Sequence, residues 1–119
     1  MKKHATTEFN DNGINYIVYH KTAVVKFNRD KIILNSGGWE TKTTKDRMNA
    51  TAYENNLPYR VYQKDFEWFV TLDNKCYPFE DGFKMENGYN KGWRVFDIKA
   101  DEKETKRYYK NIVTQNEGR

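Results

Sequence analysis

A chain of 119 residues with 37% hydrophobic content is large enough for one core and too short for two. No apolar run approaches the ~18 residues that span a bilayer, and a lone cysteine, Cys76, excludes an internal disulfide and a cysteine-cluster zinc site. The formal charge of +4 is mildly basic and unevenly spread: nine Lys/Arg face four Asp/Glu between His20 and Lys64, whereas the signs balance at eleven each from Val61 onward.

Nine Tyr, seven Phe and three Trp suit pleated, half-buried surfaces, so a β-rich domain is expected. The first dozen residues are polar, close on Asn10-Asp11-Asn12-Gly13 and are expected to fray. Because Met1–Glu8 is basic but polar, no signal peptide is expected, and the cytoplasm is the expected compartment. Ile14–His20 and Lys21–Phe27 are rich in β-branched and aromatic residues, Asn28-Arg29-Asp30 is a turn, and Lys31–Leu34 reads as a third strand. Tight connections between the three predict an antiparallel meander.

Ser36-Gly37-Gly38 breaks the strand pattern. Thr43 with Asp46 three residues later approximates a capping box, so a helix is expected from Thr43, packing through Met48, Ala52 and Tyr53. Asn55-Asn56-Leu57-Pro58 ends it, since the residue before proline avoids the helical region. Strands resume at Tyr59–Gln63 and Glu67–Leu72, then at Cys76–Phe79, where Pro78 demands an edge position. Phe83–Met85 is a short strand, Asn87-Gly88 a hairpin signal, and Trp93–Ile98 the last strand. Asp101–Gln115 predicts a second helix, with Glu102 four before Lys106 and with Tyr108, Tyr109, Ile112 and Val113 docking one side, before 115–119 fray. The expected fold is thus a single α+β domain over 1–119. It has a twisted antiparallel sheet of six to seven strands, one central helix and a C-terminal helix.

The chemistry concentrates between Leu34 and Asn49. Backbone amides around Gly37-Gly38 suit an anion nest, and a helix start adds donors and dipole. Lys42, Lys45 and Arg47 supply charge, Thr44 a hydroxyl and Trp39 a stacking face, which makes these five the candidate partner- or nucleic-acid-binding residues. The competing reading is a tight strand-to-helix turn with Trp39 plugging the core edge. A P-loop is excluded, because no Gly-Lys-Ser/Thr follows the glycines.

Enzymatic readings are weak. His4 and His20 lack metal-ligand spacing, Asp65/Glu67 and Glu80/Asp81 sit at turns, and Cys76 has no cationic helper and reads as an inert half-buried thiol. No catalytic residue, metal or cofactor is expected. The aromatic set Tyr59, Tyr62, Phe66, Trp68, Phe69, Tyr77 and Phe79 is mostly core by expectation. A single-strand-binding sheet face is the alternative, but the glycine–aromatic signature of an RNA recognition motif is missing.

The string Gly37-Gly38-Trp39-x-Thr41-x-Thr43-Thr44-Lys45-x-Arg47-Met48-Asn49 resembles a pattern of small bacteriophage and mobile-element proteins. The likeness continues more loosely through Tyr59–Gln63 and Trp68-Phe69-Val70. It implies a phage accessory protein without enzymatic activity that binds a host factor, with inhibitors of CRISPR or restriction as a comparable class. The implied partner is a host protein or protein–nucleic-acid complex and not a membrane. Direct nucleic-acid or nucleotide binding by the basic Gly37–Asn49 segment is the alternative.

Overall fold

In the computed structural model, which describes residues 5–88 and 92–117, the chain forms nine strands and two helices among those residues. The fold is α+β, with every strand pair antiparallel, but the strands divide between two sheets. The first sheet holds β1 (Thr6–Asp11), β2 (Ile14–Tyr19), β3 (Thr22–Phe27) and β4 (Lys31–Leu34) in chain order. The second is the meander β5 (Arg60–Lys64), β6 (Glu67–Leu72) and β7 (Lys75–Pro78). The chain then returns to the first sheet, adding β8 (Phe83–Gly88) against β4 and β9 (Gly92–Arg94) at the edge.

Alternation places Ile17, Val25, Ile32, Leu34, Phe83 and Met85 on one face of the first sheet, all buried. Val61, Val70 and Tyr77 form the matching row of the second sheet. α1 (Lys42–Asn55) adds Met48 and Ala52, and the three elements share one core. α2 (Glu102–Glu117) lies over the opposite side of the second sheet. The Cys76 amide donates to Thr105 Oγ1 at 2.9 Å, and Tyr108 stacks on Tyr62 with ring centroids 4.7 Å apart.

The structure departs from the sequence expectation in several places. Residues 6–11, expected to fray, are strand β1, because Asn12 and Gly13 both adopt positive φ (52° and 82°) and close a two-residue hairpin. The helix is capped by Thr41, not Thr43: Thr41 sits at φ −108°, ψ 162°, and its Oγ1 accepts from the Thr44 amide at 3.2 Å. Asp46 pairs with Lys42 instead of completing a capping box. Tyr53, expected to pack, is 85% exposed, because the buried stripe runs through Thr44, Met48, Thr51 and Ala52. The last strand stops at Arg94, and Val95 and Ile98 pack on the core from an irregular segment.

Other expectations hold. α1 ends on Asn56 at φ 58°, Pro78 lies on edge strand β7, and a C-terminal helix follows Asp101. That helix continues to Glu117, past the expected fraying at 115, while residues 118–119 and His4 lie outside those described. The docking expected of Ile112 and Val113 falls on side chains that also lie outside those described.

Gly37 is the tightest point of the strand-to-helix turn. Its φ is +66°, and a Cβ there would lie 2.2 Å from Thr22 Oγ1. Gly37→Ala therefore combines left-handed strain with overpacking and is expected to lower stability by about 1–3 kcal/mol in urea unfolding. Adding Thr22→Ala should restore part of that loss.

Candidate partner-binding surface

The turn from β4 to α1 carries its own counter-charge. Asp81 Oδ1 accepts from both the Ser36 amide and the Ser36 hydroxyl, each at 2.7 Å. Ser36 Oγ in turn accepts from the Gly38 amide at 3.1 Å, and the Trp39 amide donates to the Ser36 carbonyl. The Thr41 amide reaches the Trp39 carbonyl. An anion nest needs donors that point outward unpaired. Here the amides of Ser36, Gly38, Trp39 and Thr41 are already committed inside the chain.

The five sequence-predicted residues do not converge. Lys42 Nζ pairs with Asp46 at 2.9 Å on the exposed side of the helix. Lys45 Nζ lies 5.8 Å from the Trp68 ring centre. Arg47 donates through Nε to Thr6 Oγ1 at 2.9 Å and sits 5.3 Å over the Tyr19 ring. Thr44 is buried, its hydroxyl 3.1 Å from Thr41 Oγ1. Trp39 is 70% exposed and so does not plug the core edge.

Trp39 and Thr44 nevertheless share one feature. They line a pocket of about 430 Å³ between the β2–β3 turn and the start of α1, with Tyr19, Thr22 and Val24 on its walls. His20 and Lys21 also line it, His20 in the left-handed region at φ 56°. The pocket thus has aromatic and hydroxyl walls, one lysine and an exposed indole.

A second polar cluster gave no clear signal in the sequence. Glu104 of α2 is 6% exposed and accepts from Arg107 through both carboxylate oxygens at 2.7 Å. Tyr62 donates its hydroxyl to Glu104, and Lys64 Nζ lies 3.2 Å away. The Arg107 fork is the main reason that the Glu104 carboxyl falls from its ordinary 4.5 to about 2, against the opposing effect of burial. Burial pushes both the Tyr62 hydroxyl and the neighbouring Cys76 thiol up. Cys76 is therefore a fully buried protonated thiol. The one sequence hint was the Asp101-x-x-Glu104 spacing: Asp101 caps α2 by accepting from the Glu104 amide at 2.9 Å.

Among the described residues no three His, Cys, Asp or Glu side chains group so as to hold a metal ion, and no helix is long and apolar enough to cross a membrane. The chain matches the Kyanoviridae Gp96 protein family over residues 1–90 and belongs to that family of phage proteins. The matched stretch runs from β1 through β8 and takes in the whole β4–α1 turn, leaving out β9 and α2. No curated protein and no solved structure matches the chain.

Glu104 makes a testable contribution to stability. Its folded-state pKa lies below the unfolded one, so its stabilisation is complete above about pH 4.5 and drains away as pH falls toward 2. A shift of that size corresponds to about 3 kcal/mol. Urea unfolding should find Glu104→Gln less stable than wild type by that order at pH 7, with the gap narrowing between pH 4.5 and 2.

Proposed function

We propose that this phage protein is a non-enzymatic accessory factor that binds a host protein in the bacterial cytoplasm. A component of a defence system such as CRISPR or restriction is the target class that the phage setting favours. The observation that carries the binding reading is the exposure of Trp39 beside a pocket. Exposed tryptophans are costly in solvent and are over-represented among residues that dominate binding energy. The pocket beside it offers a seat for a side chain of the partner.

Phe66 supports the same end of the molecule. It is 94% exposed and sits at φ +67° in the β5–β6 turn, a conformation normally left to Gly or Asn. Packing inside the chain gives it almost nothing in return for that strain. Asn49 exchanges hydrogen bonds with Val61, and Lys45 lies over Trp68, so this hairpin tip faces the same end as the start of α1. The groups with strongly perturbed ionisation are occupied within the fold, Glu104, Arg107 and Tyr62 in docking α2 and Tyr59 in donating its buried hydroxyl to the Met48 carbonyl, which favours binding over catalysis. A nucleotide seat at Gly37–Asn49 gains less support, because Lys42, Lys45 and Arg47 each face a different neighbour.

Affinity capture from host lysate, quantified by mass spectrometry, tests this reading. The same host protein should be retained by wild type and by Tyr53→Ala, an exposed aromatic elsewhere, and be depleted at least about tenfold by Trp39→Ala. Phe66→Gly should weaken capture while leaving the fold at least as stable, since it relieves the left-handed strain. Identical retention by all four proteins would remove the aromatic end as the binding site.

A further inference from the structure

The first sheet has a second face that no other described element packs against. α1 and the second sheet occupy its inner side, while α2 rests on β7. On the outer side the register lays one row across five strands: Phe9 against Tyr16, Tyr16 against Lys26, Lys26 against Ile33, and Ile33 against Lys84. Phe9 and Tyr16 stack with ring centroids 4.9 Å apart and planes 11° from parallel, and Phe9 is 47% exposed. The next row pairs Lys31 with Glu86, and Glu86 with Arg94.

Charge on this face is mostly positive. Lys26 and Lys31 form no ion pair with any described residue. Lys84 pairs with Glu86 at 3.4 Å, but both side chains are more than one-third exposed, so that pair is weak. Besides Glu86, the opposing carboxylate on the face is Asp11, at the end of β1. Aromatic rings at one edge thus give way to a ladder of lysines on strands spaced about 4.8 Å apart.

We propose that this face binds single-stranded nucleic acid, with bases extending the Phe9–Tyr16 stack and phosphates lying over Lys26 and Lys84. Stacking on exposed rings needs unpaired bases, which a duplex does not offer. A protein partner fits less well, because the centres of protein interfaces are depleted in lysine. Ile33, between the two lysines in the row, gives an apolar floor for a ribose or base edge. This site is separate from the Trp39 end and goes beyond the function proposed above.

Fluorescence anisotropy with a labelled single-stranded oligothymidylate and a duplex of equal length, on the full chain, tests it. The single strand should bind at low salt, outcompete the duplex and weaken as salt rises. Lys26→Glu and Tyr16→Ala should each weaken binding about tenfold. Lys26→Ala should flatten the salt dependence by about 0.7 in log–log slope. Phe9→Ser, at the exposed edge strand, serves if Tyr16→Ala does not fold. Trp39→Ala should bind the oligonucleotide like wild type, which keeps failure here distinct from failure of the host-protein reading. No binding at low salt, equal affinity for duplex, or indifference to Lys26→Glu would overturn the proposal. Loss of host-protein capture by Lys26→Glu without oligonucleotide binding would also overturn it, and would give the face to a protein.

Discussion

The contact between Ser36 and Asp81 organises the molecule. Two charge-assisted hydrogen bonds converge on one carboxylate oxygen at the point where β4 ends and the chain must leave the first sheet. Asp81 belongs to the loop that leads into β8, and the amide of the next residue, Gly82, donates to the Leu34 carbonyl. The exit from β4 and the entry to β8 are therefore clamped together next to the Leu34–Phe83 pair that ends their ladder. With the turn so held, α1 starts over the inner face of the sheet and delivers Met48 and Ala52 to the core. Without it, the diglycine would leave the helix start poorly directed.

Once the inner faces are spent on one core, the remaining surfaces differ in what they can do. The outer side of the second sheet is taken by α2, held through a buried carboxylate that Arg107, Lys64 and Tyr62 surround. A buried charge is tolerable only when so completely paired, and that same completeness leaves it no capacity for a ligand. What is left free is the aromatic end with Trp39 and Phe66 and the outer side of the first sheet. They differ in chemistry: the first is aromatic with Lys21 on its pocket wall, and the second carries Lys26 and Lys31, which form no ion pair with any described residue.

Local signals in the sequence were reliable where local energetics decide. The β2–β3–β4 meander, the helix ending at Asn56 and the edge position forced by Pro78 all follow from backbone chemistry within a few residues. The mostly core fate of Tyr59, Trp68, Phe69 and Tyr77 followed from a small domain's need for large apolar side chains. What escaped depends on residues far apart in the chain. The division into two sheets rests on β8 choosing β4 over its neighbour β7, which no short-range pattern encodes. The anion of the diglycine turn comes from a residue 45 positions away. Glu104 meets Lys64 across 40 residues and Tyr62 across 42. Of the two readings of Trp39, an exposed stacking face or a plug at the core edge, the second fails because the path of the turn leaves the indole facing solvent. Local signals escaped too: the Asn12-Gly13 hairpin of β1, Thr41 as the cap of α1 and Asp101 as the cap of α2.

The central claim is that the backbone of the Ser36–Thr44 turn is neutralised from within, so that the segment is no anion site and offers a proposed partner its exposed Trp39 side chain instead. The most direct test follows the backbone amide resonances of residues 36–44 by NMR while inorganic phosphate is titrated against a matched chloride control. With Asp81 as resident anion, those amides should stay in place in the wild-type protein. Saturable shifts confined to Ser36–Thr44 would contradict the claim and restore the turn as an anion site.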